Sequence, residues 1–126
     1  MTGVNDVWRQ FDHPHRRPQV GATLYRDTYR GLIEEVRQIA ELVLLAPFYL
    51  EPARTDPMRK SMDEYGSNVR ELALEFDCRF GDTQLAFDTY LASNATQTLA
   101  ADRVHPNRTG HTIIASCFLD AIGFTW

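Results

Sequence analysis

Residues 42 to 48 read Leu-Val-Leu-Leu-Ala-Pro-Phe, a continuous apolar run that a proline brings to an end. A strand with one wet face alternates apolar and polar residues, whereas a parallel strand buried on both faces is apolar throughout. The run therefore predicts a buried parallel strand. Two further strands are predicted. Met1 to Val4 are expected to be the last residues of one, and the other is a short strand from Cys78 to Asp82.

Helical patterns alternate with these strands. Asp56-Pro57 predicts an N-cap and a first helical residue, and the helix that follows extends to about Phe76. An earlier amphipathic helix is predicted from Ala22 to Ala40, because apolar residues recur there at intervals of three or four. The apolar positions of that helix are Leu24, Thr28, Leu32, Val36 and Ile39. Those of the later helix are Met58, Met62, Tyr65, Val69, Leu72 and Phe76.

The remaining segments complete the prediction. Asn5 to Gly21 is rich in His, Arg and Pro and is expected to be a loop. A short helix from Leu85 to Leu91 and an irregular segment from Ser93 to Ala101 precede a last helix from Thr109 to Ala121, which Gly123 ends as a C-cap. The repeated order of strand and helix is typical of an α/β fold with a parallel sheet.

A tight polar loop lies before the last helix, where Asp102 precedes His105 by three residues and Pro106 follows. The carboxylate of Asp102 can accept a hydrogen bond from one ring nitrogen of His105. That contact would fix the tautomer and leave the other nitrogen free as a base. Pro106 disfavours helix at His105, and Asn107 can cap the helix that follows. The alternative is a surface loop that contains Asp and His without a chemical role.

Composition excludes several classes of function. A formal charge of −4 gives no basic face for nucleic acid, and no apolar run is long enough to span a membrane. Cys78 and Cys117 form neither a disulfide framework nor a paired metal motif, and they are expected to be buried, reduced thiols. No cofactor is expected. The N-terminus has no signal-peptide pattern, which predicts a cytoplasmic location.

Gly3-Val4-Asn5-Asp6 near a strand end, together with the late Asp102 and His105, resembles the SGNH (GDSL-type) hydrolases. The resemblance covers essentially the whole chain and is greatest to the bacterial acetyl-xylan esterases. Further segments that carry it are Asn5 to Gln10, Ala46 to Tyr49, Asp56 to Arg59, Met62 to Gly66, Asp82 to Gln84 and Ala121 to Phe124.

That family implies a flavodoxin-like three-layer sandwich and a Ser-His-Asp esterase acting on an acetylated sugar or another small acetyl ester. By the resemblance, Asp102 and His105 are catalytic, Asn5 donates to the oxyanion hole, and Gly3 and Asp6 support it. Phe48, Tyr49 and Glu51, after the buried strand, either touch a sugar or pack in the interior.

One departure from the family is large: no Gly-Asp-Ser block, which carries the nucleophile, occurs in this sequence. Residues 1–126 therefore resemble the C-terminal portion of one SGNH domain. The absent first two strand–helix units amount to about 60 to 80 residues. Their loss would leave a strand edge and apolar helix faces uncovered, which predicts a homo-oligomer.

The serines of the chain are poor substitutes for that nucleophile. Ser61 and Ser67 lie inside a predicted helix, and Ser116 lies 11 residues beyond His105. Ser93, in the irregular segment, is the one candidate. The nucleophile is thus unknown and expected to lie outside the chain, which alone should have little or no activity.

Three hypotheses follow. The chain is part of an SGNH carbohydrate esterase, or it is a catalytically inactive α/β module that acts through oligomerisation. The third hypothesis is a small metal protein that uses the four histidines His13, His15, His105 and His111. Their spacing argues against a metal site, because His13 and His15 flank a proline with no third ligand nearby.

Overall fold

The computed structural model describes residues 1–12, 15 and 19–125. In chain order it contains α1 (Val4–Asp12), α2 (Ala22–Val36), β1 (Val43–Leu45), α3 (Pro57–Glu75), β2 (Arg79–Gly81), α4 (Thr83–Leu91), a 3₁₀ turn (Thr96–Thr98) and α5 (Arg108–Ala121). The α/β class predicted from the sequence is confirmed. In the described residues no helix combines the length and the apolar character needed to cross a bilayer.

The sheet consists of β1 and β2, which pair in parallel with Leu44 opposite Phe80 and Leu45 opposite Gly81. Both strands are shorter than predicted, but the apolar run is buried as expected. Neighbouring side chains of a strand point to opposite faces. Leu44 packs in a cluster with residues of α3, whereas Leu45 approaches Gly81 beside Cys117 of α5. Helices α3 and α5 therefore cover opposite faces of the sheet.

Helix α3 begins as predicted. The Asp56 side chain accepts a hydrogen bond from the backbone N–H of Arg59, and Pro57 occupies the first helical position. Helix α5 is capped at its N-terminus by the Asn107 side chain. After its last residue, Ala121, Gly123 has a φ of +74°, and the N–H of Phe124 donates to the carbonyl of Leu119. This is the glycine-terminated helix end that the sequence predicted.

The prediction for the N-terminal segment is wrong. Met1 to Gly3 forms no strand in the described residues, and Asn5 to Asp12, predicted as loop, belongs to helix α1. The helix begins where the carbonyl of Gly3 accepts a hydrogen bond from the N–H of Val7. Residues 4–12 contain neither Pro nor Gly, and their apolar side chains have helical spacing. The loop prediction came from the prolines and basic residues that follow.

The predicted face of α2 is also wrong. The buried side chains are Tyr25, Tyr29 and Ile33, whereas Leu24 and Leu32 are about half exposed. The buried stripe is thus one residue, or about 100° of rotation, from the predicted one. Its position follows from Tyr25, whose ring stacks on Tyr65 of α3 with centroids 4.2 Å apart.

Two buried clusters form the interior. The larger contains α1, α2, α3 and β1 with Val104, and the smaller contains Phe48, Leu50, Phe87, Leu91, Leu99 and Ala100. Cys78 and Cys117 are free thiols, as predicted, but they are half-buried rather than buried. Burial raises the pKa of both thiols.

Candidate functional site

The loop from Asp102 to His105 closes on itself through the Asp102 carboxylate. Its Oδ2 lies 2.6 Å from Nδ1 of His105. Its Oδ1 accepts hydrogen bonds from the backbone N–H groups of Val104, at 3.0 Å, and His105, at 2.8 Å. The hydrogen bond between carboxylate and imidazole that the sequence predicted is therefore present.

Four contacts hold this loop on the body of the protein. Val104 is buried in the larger cluster. Arg103, at a φ of +65°, presents its carbonyl to the N–H of Leu50 at 3.0 Å, and its guanidinium pairs with Glu51 at 2.6 Å. On the other side of the loop, the N–H of Asn107 donates to the carbonyl of Leu99 at 2.7 Å. A non-glycine residue in the left-handed region is uncommon, and these contacts stabilise it here.

Hydrogen bonding controls the electrostatics of the pair. The bond from the His105 ring, followed by those from the backbone N–H groups of His105 and Val104, lowers the pKa of Asp102 to about 2. Asp102 is thus ionised at neutral pH and can only accept. The neutral His105 ring must then carry its proton on Nδ1, which leaves Nε2 as a hydrogen-bond acceptor and base. The imidazole is 67% exposed, so solutes can reach it.

Helix α1 lies next to His105. The Trp8 ring lies 5.5 Å from the His105 ring, with the two planes at 80°. Asn5 is exposed and lies three residues earlier in the same helix. Residues three apart share a helix face, with Cβ atoms about 5–6 Å apart. Asn5 therefore lies on the face of α1 that contacts the His105 loop.

Gly3 and Asp6 flank Asn5. Gly3 has a φ of +117°, and a Cβ there would lie 2.9 Å from the Tyr25 ring, so the position requires glycine. Asp6 is half-buried at a shallow cavity lined by Tyr25, and burial raises its pKa. It lies in the first turn of α1, not in the loop predicted for it.

The residues after β1 pack rather than face solvent. Phe48 lies against Phe87 with ring centroids 4.5 Å apart, and the N–H of Tyr49 donates to Gln84 at 2.8 Å. Both side chains are buried. Glu51 pairs with Arg103. Of the two alternatives for this segment, the structure supports packing.

The other candidates lie apart from this pair. Ser61 and Ser67 are in α3, where their hydroxyls donate to the backbone carbonyls of Pro57 and Asp63. Ser93 is exposed in the turn after α4, and Ser116 is in α5. His13 lies outside the described residues. Among those described, no three His, Cys, Asp or Glu side chains are grouped as metal ligands.

Sequence reasoning missed Trp8, Arg103 and the buried Arg59. Trp8 could have been found from its spacing to Asn5, had helix α1 been recognised. Arg59 donates from Nη1 to the carbonyl of Glu51 at 2.6 Å and thereby supports the segment that Arg103 contacts. The segment Asp56 to Arg59 carries the family resemblance, but its residue types do not indicate that Arg59 is buried.

Comparison with known proteins identifies relatives over the whole chain. The family model for GDSL-like lipases and acylhydrolases matches residues 1–113. An acetylxylan esterase from Geobacillus stearothermophilus is 44% identical over 128 residues, which is 100% of this chain and 58% of the relative. The crystal structure of that esterase superimposes with a TM-score of 0.97 over the same shares of the two chains.

An alpha/beta hydrolase enzyme from the metagenome of Lake Arreo, Spain, is 42% identical, with a TM-score of 0.93 over 98% of this chain and 57% of that one. The chain thus spans less than two thirds of the length of these relatives. Solved structures of the Geobacillus esterase include catalytic mutants in which a serine, a histidine or an aspartate is replaced by alanine. Its aspartate and histidine are three positions apart, as Asp102 and His105 are here.

Proposed function

Since this chain belongs to the GDSL-like lipase/acylhydrolase family, we propose that it forms part of a carboxylic-ester hydrolase that deacetylates acetylated xylo-oligosaccharides or similar sugars. The observation that carries the proposal is the contact of 2.6 Å between the Asp102 carboxylate and Nδ1 of His105, with Nε2 left as a base. The identity of 44% to an acetylxylan esterase supports the substrate class.

The reaction needs a serine hydroxyl next to Nε2 of His105. The serine oxygen attacks the acetyl carbonyl carbon while His105 accepts its proton, and Asp102 stabilises the imidazolium that forms. The bond to the sugar oxygen then breaks, and His105 returns the proton to that oxygen. A water molecule, deprotonated in turn by His105, then attacks the acetyl carbonyl carbon. The bond from that carbon to the serine oxygen breaks, His105 returns the proton to the serine oxygen, and acetic acid leaves and ionises to acetate.

Asn5 is the proposed donor to the oxyanion. Its amide is exposed on the face of α1 that contacts the His105 loop. A donor of this kind typically contributes about 2.7–4 kcal/mol to the transition state. Gly3 and Asp6 support the turn that presents Asn5, and neither reacts.

We place the nucleophile in a segment outside these 126 residues. Two serines here are in α3 with hydroxyls bonded to the helix backbone. The catalytic serine of the Geobacillus esterase precedes its aspartate by more residues than precede Asp102 in this chain. By this proposal, the serine belongs to a segment equivalent to the part of the relatives that this chain does not span.

Exposed apolar side chains support the proposal that a further segment completes the domain. They also favour a second candidate function, that of an inactive module which self-associates. Leu24 and Leu32 on α2 and Phe118 on α5 are 53%, 49% and 40% exposed. In the completed enzyme these faces would contact the additional segment. In the chain alone they would drive self-association, which is the behaviour expected of an inactive module that acts through oligomerisation.

The test is hydrolysis of an aryl acetate by two proteins. One is the 126-residue chain, and the other is the same chain preceded by the part of the Geobacillus esterase that it does not span. The 126-residue chain alone should hydrolyse the aryl acetate no faster than its His105→Ala variant. The extended chain should be active, and His105→Ala should lower its kcat by about 10⁴-fold or more.

Two results would contradict the proposal. Activity of the short chain that vanishes in His105→Ala would place a nucleophile within it. A folded, extended chain without any activity would favour the inactive module instead. Sedimentation velocity, compared with a Leu24→Glu and Leu32→Glu double variant, then shows whether the exposed face of α2 causes association.

A further inference from the structure

We infer that Trp8 is a positioning residue for His105: its indole fixes the plane of the imidazole whose Nδ1 is bonded to Asp102. The inference rests on the proposed function, because the orientation of the ring matters only if Nε2 accepts a proton. It assigns a role to helix α1 beyond that of Asn5.

The hydrogen bond to Asp102 does not by itself fix the direction of the His105 ring. It holds one edge of the ring at 2.6 Å, but the Asp102 side chain is itself 47% exposed, so the two side chains can shift together. The imidazole is 67% exposed, so the protein interior does not restrain it. Trp8 contacts the ring at 5.5 Å and 80°, within the range of favourable edge-to-face pairs. This second contact restrains the movement of the imidazole ring, and therefore the direction in which Nε2 points.

Trp8 is itself held from outside the histidine loop. The Arg9 guanidinium lies 4.5 Å from the Trp8 ring centroid, and Arg9 pairs with Asp12 at 2.5 Å. Trp8 also packs against the larger buried cluster. Helix α1 is anchored below it by Val7, which is fully buried, and by Gln10, whose amide donates to the carbonyl of Val20 at 2.6 Å.

Asp102 and His105 lie on one turn, so their hydrogen bond restrains the imidazole only relative to that turn, which Val104 anchors in the core. Trp8 and Asn5 lie on one face of helix α1, which is anchored in the same cluster by Val7. The Trp8 contact therefore adds a direct restraint between the imidazole and the helix that carries the proposed oxyanion donor.

The test uses NMR of the 126-residue chain labelled with ¹³C and ¹⁵N at histidine, and it does not require turnover. In the wild-type chain, we expect nuclear Overhauser contacts between the indole and the ring protons of His105, and ring-current shifts of those protons. We also expect ring-nitrogen shifts typical of a single tautomer protonated at Nδ1. Trp8→Leu should abolish the ring-current shifts and lower the order parameter of the His105 ring, measured by ¹³C relaxation of its Cε1–H group, while Asp102 still holds the tautomer protonated at Nδ1. Trp8→Phe should retain the ordered ring.

The activity of the extended chain gives a second readout. Trp8→Leu should lower kcat by about 10- to 100-fold, as expected for a misplaced catalytic group. KM should change less than about twofold, and Trp8→Phe should restore most of kcat. A change confined to stability would alter neither the order parameter of the His105 ring nor this division between kcat and KM.

Three results would overturn the inference. One is a wild-type chain without contacts between the indole and His105. Another is a folded Trp8→Leu variant with an unchanged order parameter of the His105 ring. If Trp8→Leu does not fold, Trp8→Phe decides, and a disordered His105 ring in it would refute the role of the aromatic contact. An inactive extended chain with intact Trp8–His105 contacts would contradict the proposed function alone.

Discussion

Replacing the buried Arg59 by methionine should destabilise the fold far more than the same change at an exposed arginine. Arg59 is only 1% exposed. Its Nε donates to Asp63 at 2.8 Å, its Nη2 to Asp88 at 2.7 Å, and its Nη1 to the carbonyl of Glu51 at 2.6 Å. Burial alone would lower the pKa of the guanidinium, but the hydrogen bonds to Asp88 and Asp63 outweigh it, so the pKa is raised.

The magnitude follows from what methionine leaves behind. Removing one partner of a buried ion pair typically costs about 3–5 kcal/mol. Asp63 is 37% exposed, so water can replace its lost partner. Asp88 is 16% exposed, and it keeps hydrogen bonds from Gln84 at 2.9 Å and Arg54 at 3.1 Å. These residual contacts place the expected loss near the lower limit, at about 3 kcal/mol.

Urea denaturation followed by circular dichroism measures this loss. With a slope of about 1.5 kcal/mol per M, the midpoint should fall by about 2 M. Arg54→Met is the matched control, because Arg54 pairs with the same Asp88 but is 71% exposed, and it should change stability by less than about 0.5 kcal/mol. Equal midpoints for the two variants would refute the reasoning and show that desolvation of Arg59 cancels its three hydrogen bonds.

Two further outcomes are expected. Gly81→Ala should destabilise by about 1–3 kcal/mol, because its Cβ would lie 2.4 Å from Leu45 Cδ2 and 3.3 Å from the Cys117 carbonyl oxygen. Gly66 lies within helix α3, and a Cβ added there would meet only the Cβ of Ala46, at 3.8 Å. Gly66→Ala should therefore stabilise the fold by about 0.5–1 kcal/mol. Thermal melts that rank the two variants in the opposite order would contradict both estimates. The depressed pKa of Asp102, about 2, means that its contribution to stability is complete above the ordinary aspartate pKa, near 4, and is lost as pH falls from there through about 2. In the folded protein the carboxyl ¹³C shift of Asp102 should titrate with a midpoint near 2. His105→Ala should raise this midpoint because the ring hydrogen bond is the largest cause of the lowered pKa, and an unchanged midpoint would assign the lowering to the backbone N–H groups.

The elements that could be predicted are those specified by short-range chemistry. Asp56-Pro57 and Asn107 begin helices because each cap acts within three residues. The contact between Asp102 and His105 lies within a single turn, so its residue types and spacing predicted it. The run around Leu44 predicted a strand because burial on both faces leaves no polar position.

The errors concern choices made by tertiary packing. Several faces of α2 contain apolar residues, and packing against α3, which includes the stacking of Tyr25 on Tyr65, selects the buried one. The helical spacing of Leu24 and Leu32 predicted that they would be buried, but no described element covers them. Arg59 resembles any surface arginine until the three acceptors around it are known.

The candidate site combines the two kinds of information. Asp102 and His105 pair locally, but a pair on an exposed turn has no fixed relation to Asn5, which is 97 residues earlier in the chain. Val7, at the centre of α1, and Val104, between the paired residues, are both buried in the same cluster. The core therefore couples the two segments directly. A change that loosens this cluster should separate His105 from Asn5 before it breaks the contact between Asp102 and His105, because that contact lies within a single turn.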